Sequence, residues 1–163
     1  MNMNRRLLLL ALTLTAAVTT LAIAKKEKSD LKEVKDEKYK PGQVWSYKTR
    51  PGEETSTITI LRVDEIFNGK RIVHIHVDGI KLENCHGGNA PERVEHMPFD
   101  KAFMDASVNE VLRKVSVPDY KFGYTDWRQG FEEGRAGVYT ITVAQAIDVM
   151  QHTFSKGIGC PTP

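Results

Sequence analysis

Five histidines and two cysteines carry the ligand and acid-base chemistry of this 163-residue chain. His74 and His76 stand two apart, so on a strand both imidazoles project from one face and can reach a common ion. Cys85, His86 and His96 follow in or beside a loop-like stretch able to fold back onto that face. Neutral imidazole and thiolate are ligands for zinc or copper, which makes His74, His76, Cys85, His86 and His96 the candidate metal set. No HExxH and no paired CxxC accompanies them, and two histidines on one strand equally fit the polar face of a half-buried sheet. The expectation is therefore no cofactor, with zinc or copper as the alternative.

Arg50, Glu53 and Glu54 surround the turn Pro51-Gly52. Two carboxylates beside a guanidinium suit acid-base work or an anion clamp, but at a hairpin tip such charges are ordinarily solvated. Nucleophile elbow, phosphate loop and dinucleotide fingerprint are all absent, since Gly130, Gly134 and Gly137 follow a helical stretch instead of opening one after a strand. No catalytic residue is assigned. Tyr120, Tyr124, Trp127 and Phe131 recur at helical spacing, and a stripe of four rings is expected to cover a sheet. Aromatic and guanidinium groups dominate recognition hot spots, so Arg50, Trp127 and Arg128 are the candidate binding residues.

Cys85 and Cys160 are the only cysteines. In an oxidising compartment two thiols pair, and a disulfide between them is the expectation. The competing readings are a free Cys160, or Cys85 acting with His86 as nucleophile or ligand.

These groups need elements to hold them. Val44 to Arg50 alternates as a half-buried strand, and Ser56 to Phe67 is rich in the Thr, Ile, Leu and Val that suit a pleated surface. Asn68-Gly69 predicts a two-residue type I′ hairpin into Arg71 to Val77, and Asp78-Gly79 a turn into Ile80 to Glu83. Residues 84–95 read as loop. Asp100 as N-cap, with Met104, Val108, Val111 and Val115 at helical spacing, predicts a helix, and a second is expected from Pro118-Asp119 to about Gly134. A strand over Val138 to Thr142 then leads into a helix whose start is marked by Thr142 and Gln145 as a capping box, with Ala146, Val149 and Met150 inward. Strands followed by helices predict α+β, an antiparallel β-meander of about four to five strands with two to three helices packed on one face.

Arg5-Arg6, an apolar run from Leu7, and Ala22-Ile23-Ala24 have the form of a cleavable secretory signal over 1–24. Residues 25–40, dominated by lysines and acids, read as a charged linker, 41–154 as a single globular domain and 155–163 as a C-terminal tail. Cleavage would remove Arg5 and Arg6 and no acid, so 23 basic residues fall to 21 against 21 acidic ones. A neutral chain lacks the basic face that nucleic acid requires, and none is expected as a partner. The expectation is an exported protein, periplasmic or secreted, without a stable membrane anchor after signal cleavage. Its function is expected to be a cell-envelope binding or interaction module without evident catalytic motif, of the inhibitor or immunity type, meeting a protein or small ligand. The alternative is a metal- or thiol-dependent envelope enzyme using the His/Cys cluster.

Overall fold

The computed structural model describes residues 31–160, so the leader expected at 1–24, the start of the charged segment and the last three residues of the tail lie outside the described residues. In chain order the elements are β1 (Lys32–Glu33), β2 (Gln43–Tyr47), β3 (Thr57–Glu65), β4 (Arg71–Asp78), β5 (Arg93–Asp100), α1 (Lys101–Ser107), β6 (Val108–Lys114), α2 (Lys121–Glu132) and α3 (Val143–Gly157).

The β3–β4 hairpin organises the sheet. On one side Ile58 faces Val77, Ile60 faces Ile75 and Val63 faces Val73; on the other Thr59 faces His76, Arg62 faces His74 and Asp64 faces Ile72. The connection is a short 3-10 turn, Phe67–Gly69, with Ile66 N donating to Lys70 O at 2.9 Å. It is longer than the expected two-residue turn. Gly69 takes its positive φ of 76°, where a side chain would be strained.

The antiparallel sheet has six strands in the order β5-β4-β3-β2-β6, with β1 pairing beside the end of β3. Several elements differ from the sequence expectation, and the strand expected over Ile80 to Glu83 does not form. Residues 93–100, placed partly in a loop and partly before a helix, form β5; its Pro98 is tolerated because its missing N–H would point off the sheet edge. The Pro98 carbonyl on that edge accepts from Tyr139 N at 2.8 Å. The helix starting at Asp100, whose side chain accepts from Ala102 N at 2.9 Å, stops at Ser107, and Val108 to Lys114 crosses to the far edge as β6. The helical spacing of Val108, Val111 and Val115 was also compatible with a strand of β-branched residues, and pairing with β2 decides it. The strand expected over 138–142 reduces to one parallel bridge, Phe99 with Tyr139.

The α+β class and the antiparallel meander expected from the sequence are both present. The helices divide between two faces. Val73, Ile75 and Val77 share a core with Met104 of α1 and with Val143, Ala146 and Ile147 of α3. Ile72 on the opposite face packs with Leu31, Tyr124 and Trp127, so α2 covers the side expected to be solvated. Thr142 and Gln145 form the capping box at α3, while Val149 turns outward, being 53% exposed.

Residues 31–40 are built into the domain and are not a linker over that stretch. Leu31 is buried beneath α2, Tyr39 is fully buried, and the Tyr39 hydroxyl donates to Asp105 at 2.7 Å. Asp36 accepts from the Lys38 and Tyr39 amides and from Arg71 at 2.6 Å. The few apolar groups of this charged stretch thus suffice, because buried ionic partners hold the backbone between them.

Candidate functional site

Beneath α2 the sheet carries a chain of three ionisable groups. Asp64 on β3 is fully buried, and its Oδ2 lies 3.2 Å from His74 Nε2 on β4. His74 Nδ1 lies 2.9 Å from His96 Nε2 on β5, the two ring planes nearly parallel at 16°. Arg62 Nε donates to Asp64 Oδ1 at 3.0 Å, and the Tyr124 hydroxyl donates to Asp64 Oδ2 at 2.7 Å. The Arg62 guanidinium also lies 4.3 Å from the Tyr124 ring centre, a cation-π contact. Trp127 presents its ring edge-on to His74 at 4.8 Å and donates Nε1–H to Gly137 O at 2.7 Å. Gly123 is obligatory here, since a Cβ at that position would lie 2.9 Å from His96 Cβ.

The electrostatics fix the protons. Burial alone would raise the Asp64 carboxyl, but His74, Arg62 and Tyr124 hold it down at about 2. Burial lowers His74 below the ordinary 6.5, Asp64 only partly offsetting it. Burial, then the neighbouring His74, drives His96 down to about 3. Both imidazoles are therefore neutral at pH 7. His74 Nε2, buried and 3.2 Å from Asp64 Oδ2, makes no well-directed hydrogen bond, but the carboxylate charge favours a proton there. With that tautomer His74 Nδ1 accepts from His96 Nε2–H and His96 Nδ1 keeps its lone pair.

A pH dependence follows. Because the folded histidines bind protons more weakly than the unfolded ones, their contribution is full above about pH 6.5 and is lost as pH falls toward about 3 for His96. Asp64 adds stability above 3.8 that is lost as pH falls through about 2. Urea unfolding between pH 7 and pH 4 is expected to show stability falling by up to about 1.4 kcal/mol per pH unit for each histidine. A flat profile over that range would contradict two neutral buried imidazoles.

His96 opens the chain to the surface. It lines a cleft of about 510 Å³ with Pro98, Gly123, Asp126, Trp127 and the 137–139 segment. The lining includes one carboxylate, Asp126, and no lysine or arginine. Among the described residues Asp126 has no ion-pair or hydrogen-bond partner, and it is exposed. Trp127 and Tyr139, the latter stacked on Phe99 at 5.0 Å, supply aromatic walls. A neutral imidazole lone pair, a free carboxylate and ring faces together make a cleft suited to a cationic group.

The structure brings together only part of the candidate metal set. His74 and His96 meet, whereas His76 on the same sheet face turns its Nε2 to Asp78 at 2.8 Å and leaves a buried Nδ1 unpartnered. Both strand histidines were expected on a solvated face; α2 leaves His74 wholly buried, and His76 is only 7% exposed. Cys85 and His86 lie elsewhere, with Cys160. Cys85 and Cys160 form the expected disulfide. The ligand atoms of Cys85, His86 and Cys160 fall within 4.8 Å of one another, but the sulfurs are bonded to each other, and His86 Nε2–H donates to Ile158 O at 2.7 Å.

Of the binding candidates, only Trp127 reaches the cleft. Arg50 is not at a solvated tip: it pairs with the buried Glu53 and donates to Lys81 O at 3.1 Å, clipping the 50–53 turn to the 81 loop. Burial would raise the Glu53 carboxyl, but Arg50 and the Lys81 amide, at 2.6 Å, bring it below its usual range. Arg128 Nε donates to Glu132 at 3.0 Å, one turn along α2. Sequence reasoning missed Asp64, Arg62, Tyr139 and Asp126. The available signal was Arg62 and Asp64, two charges two apart within a strand otherwise rich in branched apolar residues.

Fold and site together define an α+β domain with a buried Asp-His-His chain ending in a surface cleft. Comparison with protein-family models, curated proteins and solved structures finds no match.

Proposed function

We propose that this chain is an exported binding module of the cell envelope, and that the cleft at His96 holds a small organic cation, an ammonium or guanidinium group, at its centre. The observation that carries the reading is the unpaired Asp126 carboxylate beside the neutral His96 and the Trp127 and Tyr139 rings, with no basic side chain in the lining. Asp126 supplies the charge, and His96 Nδ1 accepts a hydrogen bond that a protonated imidazole would refuse. Asp64 and His74 act behind it, setting the tautomer and orientation of His96. The Cys85–Cys160 disulfide supports residence in an oxidising compartment, and among the described residues no helix is long and apolar enough to cross a membrane.

The reading is of binding because the cleft offers a charge, a lone pair and ring faces, the elements of recognition of a cation. The alternative of a metal- or thiol-dependent enzyme is favoured by one grouping, Cys85, His86 and Cys160, which becomes a ligand set only when the disulfide is reduced. Metal analysis of the protein before and after reduction tests it.

Titration with putrescine, arginine amide and lysine amide, followed by amide chemical shifts, is expected to move residues 96, 123–127 and 137–139. Asp126→Asn is expected to weaken binding about tenfold, through the lost charge-assisted contact, whereas equal response to acetate, or none to the three cations, would sink the proposal.

A further inference from the structure

Cys85 and His86 stand in the 84–88 loop and Cys160 just past the end of α3, and one donor atom from each lies within 4.8 Å of the others. Cys85 and His86 are exposed and Cys160 is half-buried, so both a reductant and an ion have access. Exposed disulfides are characteristically the labile, regulatory ones. The grouping shares no residue with the His96 cleft and stands whether or not that cleft holds a cation.

Other bonds than the disulfide also hold the two segments together. The Gln151 side chain of α3 clips both backbone groups of Glu83, accepting from its N–H at 2.6 Å and donating to its carbonyl at 3.0 Å. Asn84 closes the turn, accepting from His86 N at 3.0 Å through Oδ1 and from Gly87 N at 3.0 Å through its carbonyl. On the other side Cys160 N donates to Ser155 O at 2.8 Å, which seats the second cysteine on the end of α3. Breaking the S–S bond therefore leaves the two thiols close to one another. His86 is oriented as well. Its Nε2 faces Ile158 O at 2.7 Å, and a carbonyl only accepts, so the ring proton sits on Nε2 and the lone pair on Nδ1. A metal-ligating imidazole gives its other N–H to a backbone carbonyl in the same way.

We propose that Cys85, His86 and Cys160 are a redox-gated zinc site, closed as the disulfide and opened by a small dithiol. In the opening step the two sulfurs of the dithiol form a disulfide, the Cys85–Cys160 bond breaks, and each protein sulfur gains one electron and one proton. Zinc then displaces the two thiol protons and binds two thiolates and the His86 imidazole. At ordinary Zn–S and Zn–N lengths, tetrahedral donors stand about 3.5–3.8 Å apart. The spread of 4.8 Å already accommodates that separation.

Zinc suits the set better than copper because it has no redox chemistry and does not return the thiolates to the disulfide. Three protein ligands leave its fourth position to water. No catalytic role is attached to the ion: it ties the end of α3 to the 84–88 loop in place of the S–S bond, so the same two segments stay joined in either redox state.

Cobalt(II) serves as the spectroscopic probe. Protein reduced with a phosphine, freed of it without air and titrated with cobalt is expected to bind one ion per chain, with the visible bands of tetrahedral cobalt and a near-ultraviolet thiolate-to-cobalt charge-transfer band. Zinc is expected to bleach both and to raise the urea midpoint of the reduced protein, because it binds the folded form. Oxidised protein is expected to show neither band. His86→Ala is expected to weaken cobalt binding by at least about tenfold, the scale on which even outer partners of a metal site act, whereas His152→Ala, at an exposed position on α3, leaves it unchanged. Near-UV circular dichroism checks the fold of each variant in the oxidised state and of the wild type after reduction. Absence of the charge-transfer band, equal binding by oxidised protein, indifference to His86→Ala, or a reduced protein that zinc neither stabilises nor refolds would each overturn the proposal.

Discussion

Replacing Asp64 with alanine is expected to lower the unfolding free energy by about 3–5 kcal/mol at pH 7, the cost of removing one partner from a buried ion pair. The carboxylate is fully buried and gathers Arg62, Tyr124 and His74 from two strands and a helix. Without it the Arg62 side chain, itself 13% exposed, keeps only Glu33 at 3.2 Å and the face of the Tyr124 ring, and the Tyr124 hydroxyl loses its acceptor. In a domain whose total stability is roughly 5–15 kcal/mol, such a loss leaves little margin. Urea unfolding measures it directly. Asp64→Asn, which keeps an acceptor for Tyr124 but not the charge, is expected to cost less. Asp64→Leu with Arg62→Met is expected to cost less than Asp64→Ala alone, because removing both charges strands neither. A loss below about 1 kcal/mol for Asp64→Ala would mean that the group is solvated and that His96 is positioned by packing alone.

The second large effect concerns the disulfide. Cys85 and Cys160 close a loop across 75 residues, for which the chain-entropy model gives about 4.5 kcal/mol as an upper figure. Reduction, or Cys85→Ser with Cys160→Ser, is expected to lower stability by about 2–4.5 kcal/mol and to free the end of α3 from the 84–88 loop. The urea midpoint with and without reductant checks the size of the loss, and amide exchange at 154–160 checks its place. Identical midpoints with the thiols demonstrably free would remove the crosslink from the account of stability.

Different parts of this structure were legible to different degrees, for physical reasons. The β3–β4 hairpin could be read because its alternation is long and Gly69 marks its turn, and α3 because Thr142 and Gln145 sign its first turn. The aromatic stripe of α2 was read as core, and Tyr124 and Trp127 are buried in it. β6 was misread because an exposed edge strand has no buried face to impose a period of two, leaving its valines free to mimic a helix. The chain at Asp64 was hidden for another reason. Its members lie on three strands, and only the lateral register, Arg62 against His74 and His74 against Pro98, brings them into line. Sequence showed the histidines correctly as neighbours on one face, but whether that face met water or a helix depended on where α2 folded back. The cleft depends further on Asp126 and Tyr139, which no local pattern connects.

One feature of the topology reaches beyond the site. β5 and β6 stand at opposite ends of the sheet, yet only α1 joins them. Four strand spacings in a flat sheet amount to about 19 Å, whereas the seven residues of α1 advance only about 10 Å along their axis. So short a strut cannot span an open sheet of that width without drawing its margins together. The helix therefore acts as a bowstring, and the sheet is the bow: bent around Met104 and α3 on the inside, with Asp64 and His74 on the outer curve, where α2 lies as a cover. Curvature of the sheet and the bearing of its free edge are in this sense set by the length of one short helix.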